Sequence, residues 1–265
     1  MALSTPIALG FTAEIFAWHD DQVLKLFKHG VSISSVEYEA NLTRIVHATG
    51  LPVPAVGEIL EIDGRFGLEL ERVDGISMVE ALARRTWMFS TFARQLAKLQ
   101  ADMHKHQVPE LPSLSEKLAG KINKAEKLPE DVRQAALKTL KSLPEDDKLC
   151  HGDFHPGNIL LTSHGPVIID WMDASRGFPL ADVARSTLLI GSGPIPPGTP
   201  VAWLIKVIRR MFYNTYLKRY FQLNLSDRQQ LSKWIPVVAA ARLNENITMD
   251  EDRLLSIAQT LIRTE

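Results

Sequence analysis

The run His151-Gly152-Asp153-Phe154-His155-Pro156-Gly157-Asn158 places an acid, two imidazoles and an amide within eight residues, and a second acid, Asp170, follows twelve residues after Asn158. Apolar runs, Ile159-Leu160-Leu161 and Val167-Ile168-Ile169, lie between them, so these polar groups stand at the ends of short strands. A magnesium ion that travels with a nucleotide needs only a few protein ligands, all hard oxygens, because it keeps waters and takes its other ligands from phosphates. In such a site Asp153 accepts the proton of a hydroxyl while Asn158 and Asp170 hold the metal. The plainer alternative is a strand pair joined by a solvated turn, with Asp and Asn bonding only turn backbone. The conjunction of His151, Asp153, His155, Asn158 and Asp170 at strand-flanked spacings weighs against it.

A second candidate group lies near the N-terminus. Lys25 is the one charge inside the apolar run Val23-Leu24-Lys25-Leu26-Phe27, and an ammonium buried there needs an anionic partner. Glu39, in the next predicted helix, supplies one. Glu37 is a rival, two residues away and about 160° from Glu39 around a helix. Lys28, at the end of the strand, is the rival lysine and reads as solvated.

The elements that must position these groups can be read from periodicity. Short strands run from Ile7 to about Phe27 around a turn at His19-Asp20-Asp21-Gln22, and a helix capped by Ser35 runs to about Ala48 before Gly50 and Pro52-Val53-Pro54. Strands Gly57 to Ile62 and Phe66 to Leu70 flank Asp63-Gly64, a hairpin signal. After Val73-Asp74-Gly75 the pattern turns helical, with Phe92, Leu96, Leu99 and Met103 on one stripe and a charged helical pair from Ser115 to about Ser142. Strands return at 158–161 and 167–169. A Gly- and Pro-rich loop fills 191–200, and helices follow from Val201 to Tyr220 and from Asp227 to Asn244.

His-Gly-Asp-x-His-x-x-Asn, the strand lysine, the helix glutamate and the later Asp170 together resemble the protein-kinase-like superfamily. The nearer likeness is to its aminoglycoside phosphotransferase and choline kinase-like branch. The resemblance implies an α+β, two-lobed fold: a nucleotide-binding lobe over 1–72 with an antiparallel sheet and one helix, a hinge at 73–76, and a larger, mainly helical lobe over 77–265. It also implies ATP or GTP with magnesium as cofactors. By the same resemblance Asp153 is the catalytic base of a loop at 151–158, and Asn158 and Asp170 are metal ligands, Asp170 within the segment 167–173. Trp171-Met172 replaces the Phe-Gly of protein kinases. Lys25 with Glu39 positions the nucleotide phosphates. Gly10 and Ile15 belong to the loop that covers them, although Gly10 stands where protein kinases have three glycines. Glu71 and Val73 sit in the connector that meets the base. His155 either touches phosphate or orients a neighbour, His151 and Asp182 support the loop, and Asp173 faces substrate, holds a second metal or caps a turn.

Composition narrows the partners. The chain has 30 basic and 31 acidic side chains, a net charge of −1, so nothing steers it to nucleic acid or to a membrane surface. Residues 1–75 carry 5 basic and 11 acidic groups, which leaves the remainder net positive and disfavours a polycationic acceptor. The single cysteine, Cys150, excludes an internal disulfide and reads as an inert core thiol. The first residues lack a signal peptide, and no apolar run reaches the roughly 18 residues of a membrane span, so a cytoplasmic location is expected.

The expected partner is a small hydroxylated substrate, an aminoglycoside or else a sugar, amino alcohol or choline-like metabolite. Trp203, Phe212, Tyr213, Tyr216 and Trp234 could furnish an aromatic cage for choline, with core packing as the default. Lys206, Arg209, Arg210, Lys218 and Arg219 read as a solvated face, and His104 as a packed or solvated histidine. Glu245 and Asp250-Glu251-Asp252 are the acids that could grip a cationic acceptor. A regulatory pseudokinase is the non-enzymatic alternative, against which the intact Lys25, Asp153, Asn158 and Asp170 argue. No oligomeric state follows from the sequence.

Overall fold

The computed structural model describes residues 5–10, 12–191, 201–224 and 227–263, so the loop expected at 191–200 lies almost wholly outside them. In chain order the strands are β1 (Ala8–Leu9), β2 (Ala13–Ala17), β3 (Gln22–Phe27), β4 (Val56–Ile62), β5 (Arg65–Glu71), β6 (Ile76–Ser77), β7 (Lys148–Cys150), β8 (Ile159–Thr162), β9 (Gly165–Ile168) and β10 (Ser175–Gly177). The helices are α1 (Ile33–His47), α2 (Met78–Arg84), α3 (Phe89–Met103), α4 (Leu114–Lys124), α5 (Glu130–Ser142), α6 (Pro179–Gly191), α7 (Ala202–Leu223), α8 (Arg228–Arg242), α9 (Glu251–Ala258) and α10 (Thr260–Arg263). The chain divides into two compact units, one of Met1–Ser77 with Asn158–Asp173, the other of Met78–Gly157 with Ala174–Glu265.

The first unit is built on an antiparallel sheet in the order β1-β2-β3-β5-β4. Alternation along β3 sorts its side chains. Phe27 joins Ala13, Leu68 and the α1 residues Val36 and Ala40 in one core, while Leu24 and Leu26 pack with Phe16 in another. Lys25 shares the Phe27 parity and so faces α1. The β4–β5 hairpin turns at Asp63 and Gly64, both at positive φ, as the Asp-Gly signal requires. Helix α1 begins two residues before the expected Ser35, because Ser32 is its cap and accepts the Ser35 N–H.

A three-stranded sheet, β6-β8-β9, completes this unit. Thus the strand pair that sequence grouped with the helical part packs by compactness with the N-terminal residues. Gly75 is needed there: a Cβ would lie 2.7 Å from the Leu161 carbonyl oxygen. The Ile168 N–H donates to the Pro52 carbonyl at 2.8 Å, tying β9 to the turn after α1.

The second unit is helical around one short strand pair, β7 with β10, in which Cys150 opposes Ser175. Phe92, Leu96 and Met103 of α3 are buried as the stripe predicts, with Leu99 half-buried, and α7 contributes Phe212, Tyr216 and Tyr220 to the core. Arg133 of α5 braces the end of α4 and the turn after it by donating to the carbonyls of Ile122, Asn123, Ala125 and Leu128. Among the described residues no helix is long and apolar enough to cross a membrane.

Candidate active site

In the first unit, Lys25 Nζ lies 2.6 Å from Glu39 Oε1 and 3.3 Å from Asp170 Oδ1. The Lys25 and Glu39 side chains are 12% and 5% exposed, Asp170 39%. Glu37 and Lys28 are exposed, so burial selects Glu39 and Lys25 from the rival pairs. Burial lowers the Lys25 pKa, but the two carboxylates outweigh it and hold the ammonium above its ordinary value. Burial pushes the Glu39 carboxyl up against the pull of Lys25.

Backbone shape presents Asp170. Its φ of 65° lies in the left-handed region, a conformation that costs a residue other than glycine about 1–3 kcal/mol and persists only where its surroundings impose it. Trp171, 1% exposed, anchors that bend by donating its indole N–H to the Ile168 carbonyl at 3.0 Å. Asn158 is buried at the start of β8, and its carbonyl accepts the Ile169 N–H at 3.0 Å, which closes the hairpin bearing both residues. Asp173 is half-buried near Tyr38 of α1, whose phenol is pushed up by burial and by that carboxylate.

The remaining candidates of this unit serve the sheet. Ile15 opposes Lys25 in register, so the two side chains share a face. The Gly10 N–H donates to the Ala13 carbonyl. Glu71 bonds Ala55 twice, its N–H donating to the Ala55 carbonyl and its carboxylate accepting the Ala55 N–H. Val73 is half-buried in the irregular stretch before β6.

In the second unit, the loop after β7 carries Asp153. Arg185 NH2 donates to Asp153 Oδ1 at 3.2 Å, and His155 Nε2 stands 3.5 Å from Oδ2. The ring of His155 is fixed from behind, since its Nδ1 accepts the Gly157 N–H at 3.0 Å and thereby leaves Nε2 toward the carboxylate. A Cβ on Gly157 would come within 2.6 Å of the imidazole, so glycine lets the ring lie there. His151, fully buried, accepts the Asp153 N–H at 3.1 Å. Burial raises the Asp153 pKa, yet the His155 hydrogen bond and the charges of Arg185 and the two histidines hold it well below the usual carboxylate range.

Asp182 supports this loop from α6. Its Oδ1 accepts the Gly152 N–H at 2.7 Å, and its Oδ2 accepts from Gln100 at 2.8 Å and faces His104 Nε2 at 3.2 Å. His104 reaches the Tyr220 hydroxyl at 2.7 Å, so it is a packed histidine. Cys150 is buried and its thiol is pushed up by burial, the inert state expected of it. Of the aromatic set, Phe212, Tyr216 and Trp234 are core, Tyr213 is half-buried and Trp203 is exposed. Glu245 is bound to Arg185 and Arg242 instead of offering a free acid.

Arg185 is the residue that sequence reasoning missed. Its signal is positional: it stands one helical turn after Asp182, on the α6 face that also carries Ala181, Leu188 and Leu189.

A family model described as the phosphotransferase enzyme family matches residues 4–232. A search of curated proteins gives no match. Three solved structures show the range of similar folds. A thermostable mutant of aminoglycoside phosphotransferase APH(4)-Ia is 15% identical with a TM-score of 0.66, covering 100% of this chain and 94% of its own. The amicoumacin kinase hAmiN, in complex with AMP-PNP, Ca2+ and Ami, is 16% identical with a TM-score of 0.61 over 97% and 87%. A choline/ethanolamine kinase family protein from Mesorhizobium loti is 16% identical with a TM-score of 0.61 over 99% and 88%. The α+β fold expected from the motifs, a small antiparallel sheet with one helix and a larger helical part, is the fold of these protein-kinase-like enzymes.

Proposed function

The chain belongs to the phosphotransferase enzyme family and is a phosphotransferase acting on a hydroxyl group; from that premise we propose that it moves the γ-phosphoryl group of ATP or GTP to a small hydroxylated acceptor, with Asp153 as the base. The observation that carries this reading is the buried Lys25–Glu39 pair reaching Asp170, a cation flanked by two anions. Lys25, held protonated, binds the α- and β-phosphates, and Glu39 fixes the ammonium in place. The acceptor oxygen forms its bond to phosphorus as the bond to the β,γ-bridging oxygen breaks. Asp153 Oδ2 takes the hydroxyl proton, and the nucleoside diphosphate leaves. A carboxylate held this far down is ionised at neutral pH but weakly basic. Its main work is therefore to orient the hydroxyl, which suits a loose transition state with little proton transfer.

The donors present fit magnesium. Asp170 offers a carboxylate and Asn158 an amide oxygen, two hard oxygen donors. A set this sparse suits an ion that keeps waters and phosphate oxygens. When bound, magnesium neutralises charge on the phosphates.

Most of the late acids are already paired, Glu245 with Arg185 and Arg242, Asp250 with Arg242 and Arg253, and Glu251 with Lys127, while Asp252 is exposed; Asp153 also pairs with Arg185. That balance favours a sugar- or polyol-like acceptor over a polycation, and the burial of Phe212, Tyr216 and Trp234 in the core weighs against their caging choline. The test is nucleotide consumption by the wild type and Asp153→Asn with ATP and GTP across aminoglycosides, sugars and amino alcohols. Turnover that depends on one acceptor and is lost in the variant supports the reading. An equally active, folded Asp153→Asn overturns it.

A further inference from the structure

Asp153 is joined to a chain of charges that alternates in sign and returns to the helix it started from. Arg185 of α6 bonds Asp153 with NH2 and Glu245 Oε1 with NH1. Glu245 Oε2 lies 3.3 Å from Arg242 Nε, and Arg242 NH1 lies 3.4 Å from Asp250 Oδ2. Asp250 receives Arg253 at 2.6 Å, and Arg253 NH2 donates to the Leu188 carbonyl at 2.9 Å, one turn beyond Arg185 on α6. Arg242 is 2% exposed and Arg185 13%, so the links nearest Asp153 are shielded from solvent, where ion pairs are screened least. Glu245 is itself held in a short turn that Asn246 closes in the left-handed conformation.

We infer that Arg185, clamped by Glu245, is a positioning residue for phosphoryl transfer: it binds Asp153 Oδ1 and fixes the carboxylate rotamer that meets the acceptor hydroxyl. The inference rests on the reading of Asp153 as the base. An arginine suits the task, because its planar guanidinium bonds the two carboxylates through separate nitrogens at fixed spacing, while a lysine must reach both from one ammonium nitrogen. His155 Nε2 flanks Oδ2 from the other side at 3.5 Å, its ring held by the Gly157 N–H on Nδ1, so the carboxylate is gripped at both oxygens. The circuit also explains why Glu245 is no grip for a cationic acceptor: both its oxygens are spent on arginines.

The experiment measures magnesium-dependent ATP hydrolysis, with water in the acceptor's place, for wild type, Asp153→Asn, Arg185→Gln, Arg185→Lys and Glu245→Gln in the full chain. Circular dichroism checks folding of each. We expect Arg185→Gln to lower kcat about 10- to 100-fold with the KM for ATP within about twofold, since misplacing a reacting group by an ångström costs on that order. Arg185→Lys keeps the charge but not the fork, and recovers less than half of that loss. Glu245→Gln, which frees the arginine, lowers kcat severalfold. In 13C-carboxyl spectra the Asp153 titration, faced by Arg185, His155 and His151, moves upward in Arg185→Gln. A folded Arg185→Gln with wild-type kcat overturns the inference, as does full rescue by lysine or a KM change that accounts for the whole loss. If Arg185→Gln does not fold, Arg185→Lys and Glu245→Gln decide by the same criteria. Inactive Asp153→Asn beside unchanged Arg185 variants rejects the clamp alone, whereas active Asp153→Asn rejects the base.

Discussion

The two compact units solve opposite electrostatic problems with the same parts. In the first, one cation, Lys25, faces two anions, Glu39 and Asp170, and the set keeps a surplus negative charge. In the second, one anion, Asp153, faces Arg185 and His155, and its wider circuit through Glu245, Arg242, Asp250 and Arg253 balances to zero. A surplus anion presented by strained backbone suits a metal cation. An anion already satisfied by arginine suits a proton and an orienting role. On the proposed reading the same residue type, aspartate, takes two tasks according to its neighbours, as expected where environment sets ionisation.

The comparison breaks most severely at its supports. Asp182→Ala removes the acceptor of the Gly152 N–H and of Gln100 and leaves His104 without its carboxylate. Loss of one partner from such a buried network costs about 3–5 kcal/mol, and urea unfolding should show a fall in unfolding free energy of that size, read as the midpoint shift multiplied by the m-value. Next comes Asp153→Ala, expected to lower turnover at least about a hundredfold, the lower range for a positioned acid or base. Lys25→Met should instead weaken nucleotide binding by about tenfold or more, since a charge-assisted hydrogen bond contributes roughly 1.5–3 kcal/mol. Calorimetric titration with a nonhydrolysable ATP analogue reads it.

The pH dependence sharpens the contrast further, with opposite signs. Asp153 is held below its unfolded value of about 3.9, so its stabilising contribution is present above that pH and is lost as pH falls through the folded value. The melting-temperature gap between wild type and Asp153→Asn should be flat from about pH 8 to 5 and narrow below about pH 4. Lys25 is raised, so its contribution is present below about pH 10.4 and is lost as pH rises through the folded value. The smallest expected effects belong to the rivals: Glu37→Ala and Lys28→Ala, at exposed positions, should change stability by no more than about 0.5 kcal/mol.

What was legible in the sequence follows from how local its causes are. The Asp63-Gly64 turn, the lone charge of Lys25 in an apolar run and the helical spacing of Val36, Leu42 and Val46 are written in neighbouring residues, whereas the choice of Glu39 over Glu37 came from the family resemblance. The two-residue strand β6 has no period to read, and its pairing with β8 depends on residues some eighty positions away. For the same reason the association of β8 and β9 with the N-terminal sheet was not visible. Ser32 was passed over for Ser35 because both are capping residues within one turn. Arg185 was missed because an arginine on a helix reads as solvated until its partners are known, and Glu245 lies sixty residues on.

The most direct test of the contrast is magnesium-dependent binding of a nonhydrolysable ATP analogue to wild type, Asp170→Asn and Asp153→Asn, measured by calorimetry with and without the metal. The account predicts that Asp170→Asn abolishes the metal-dependent part of the affinity while Asp153→Asn preserves it. Loss of that part in Asp153→Asn, with retention in Asp170→Asn, would contradict the assignment of metal to the first unit and of the proton to the second.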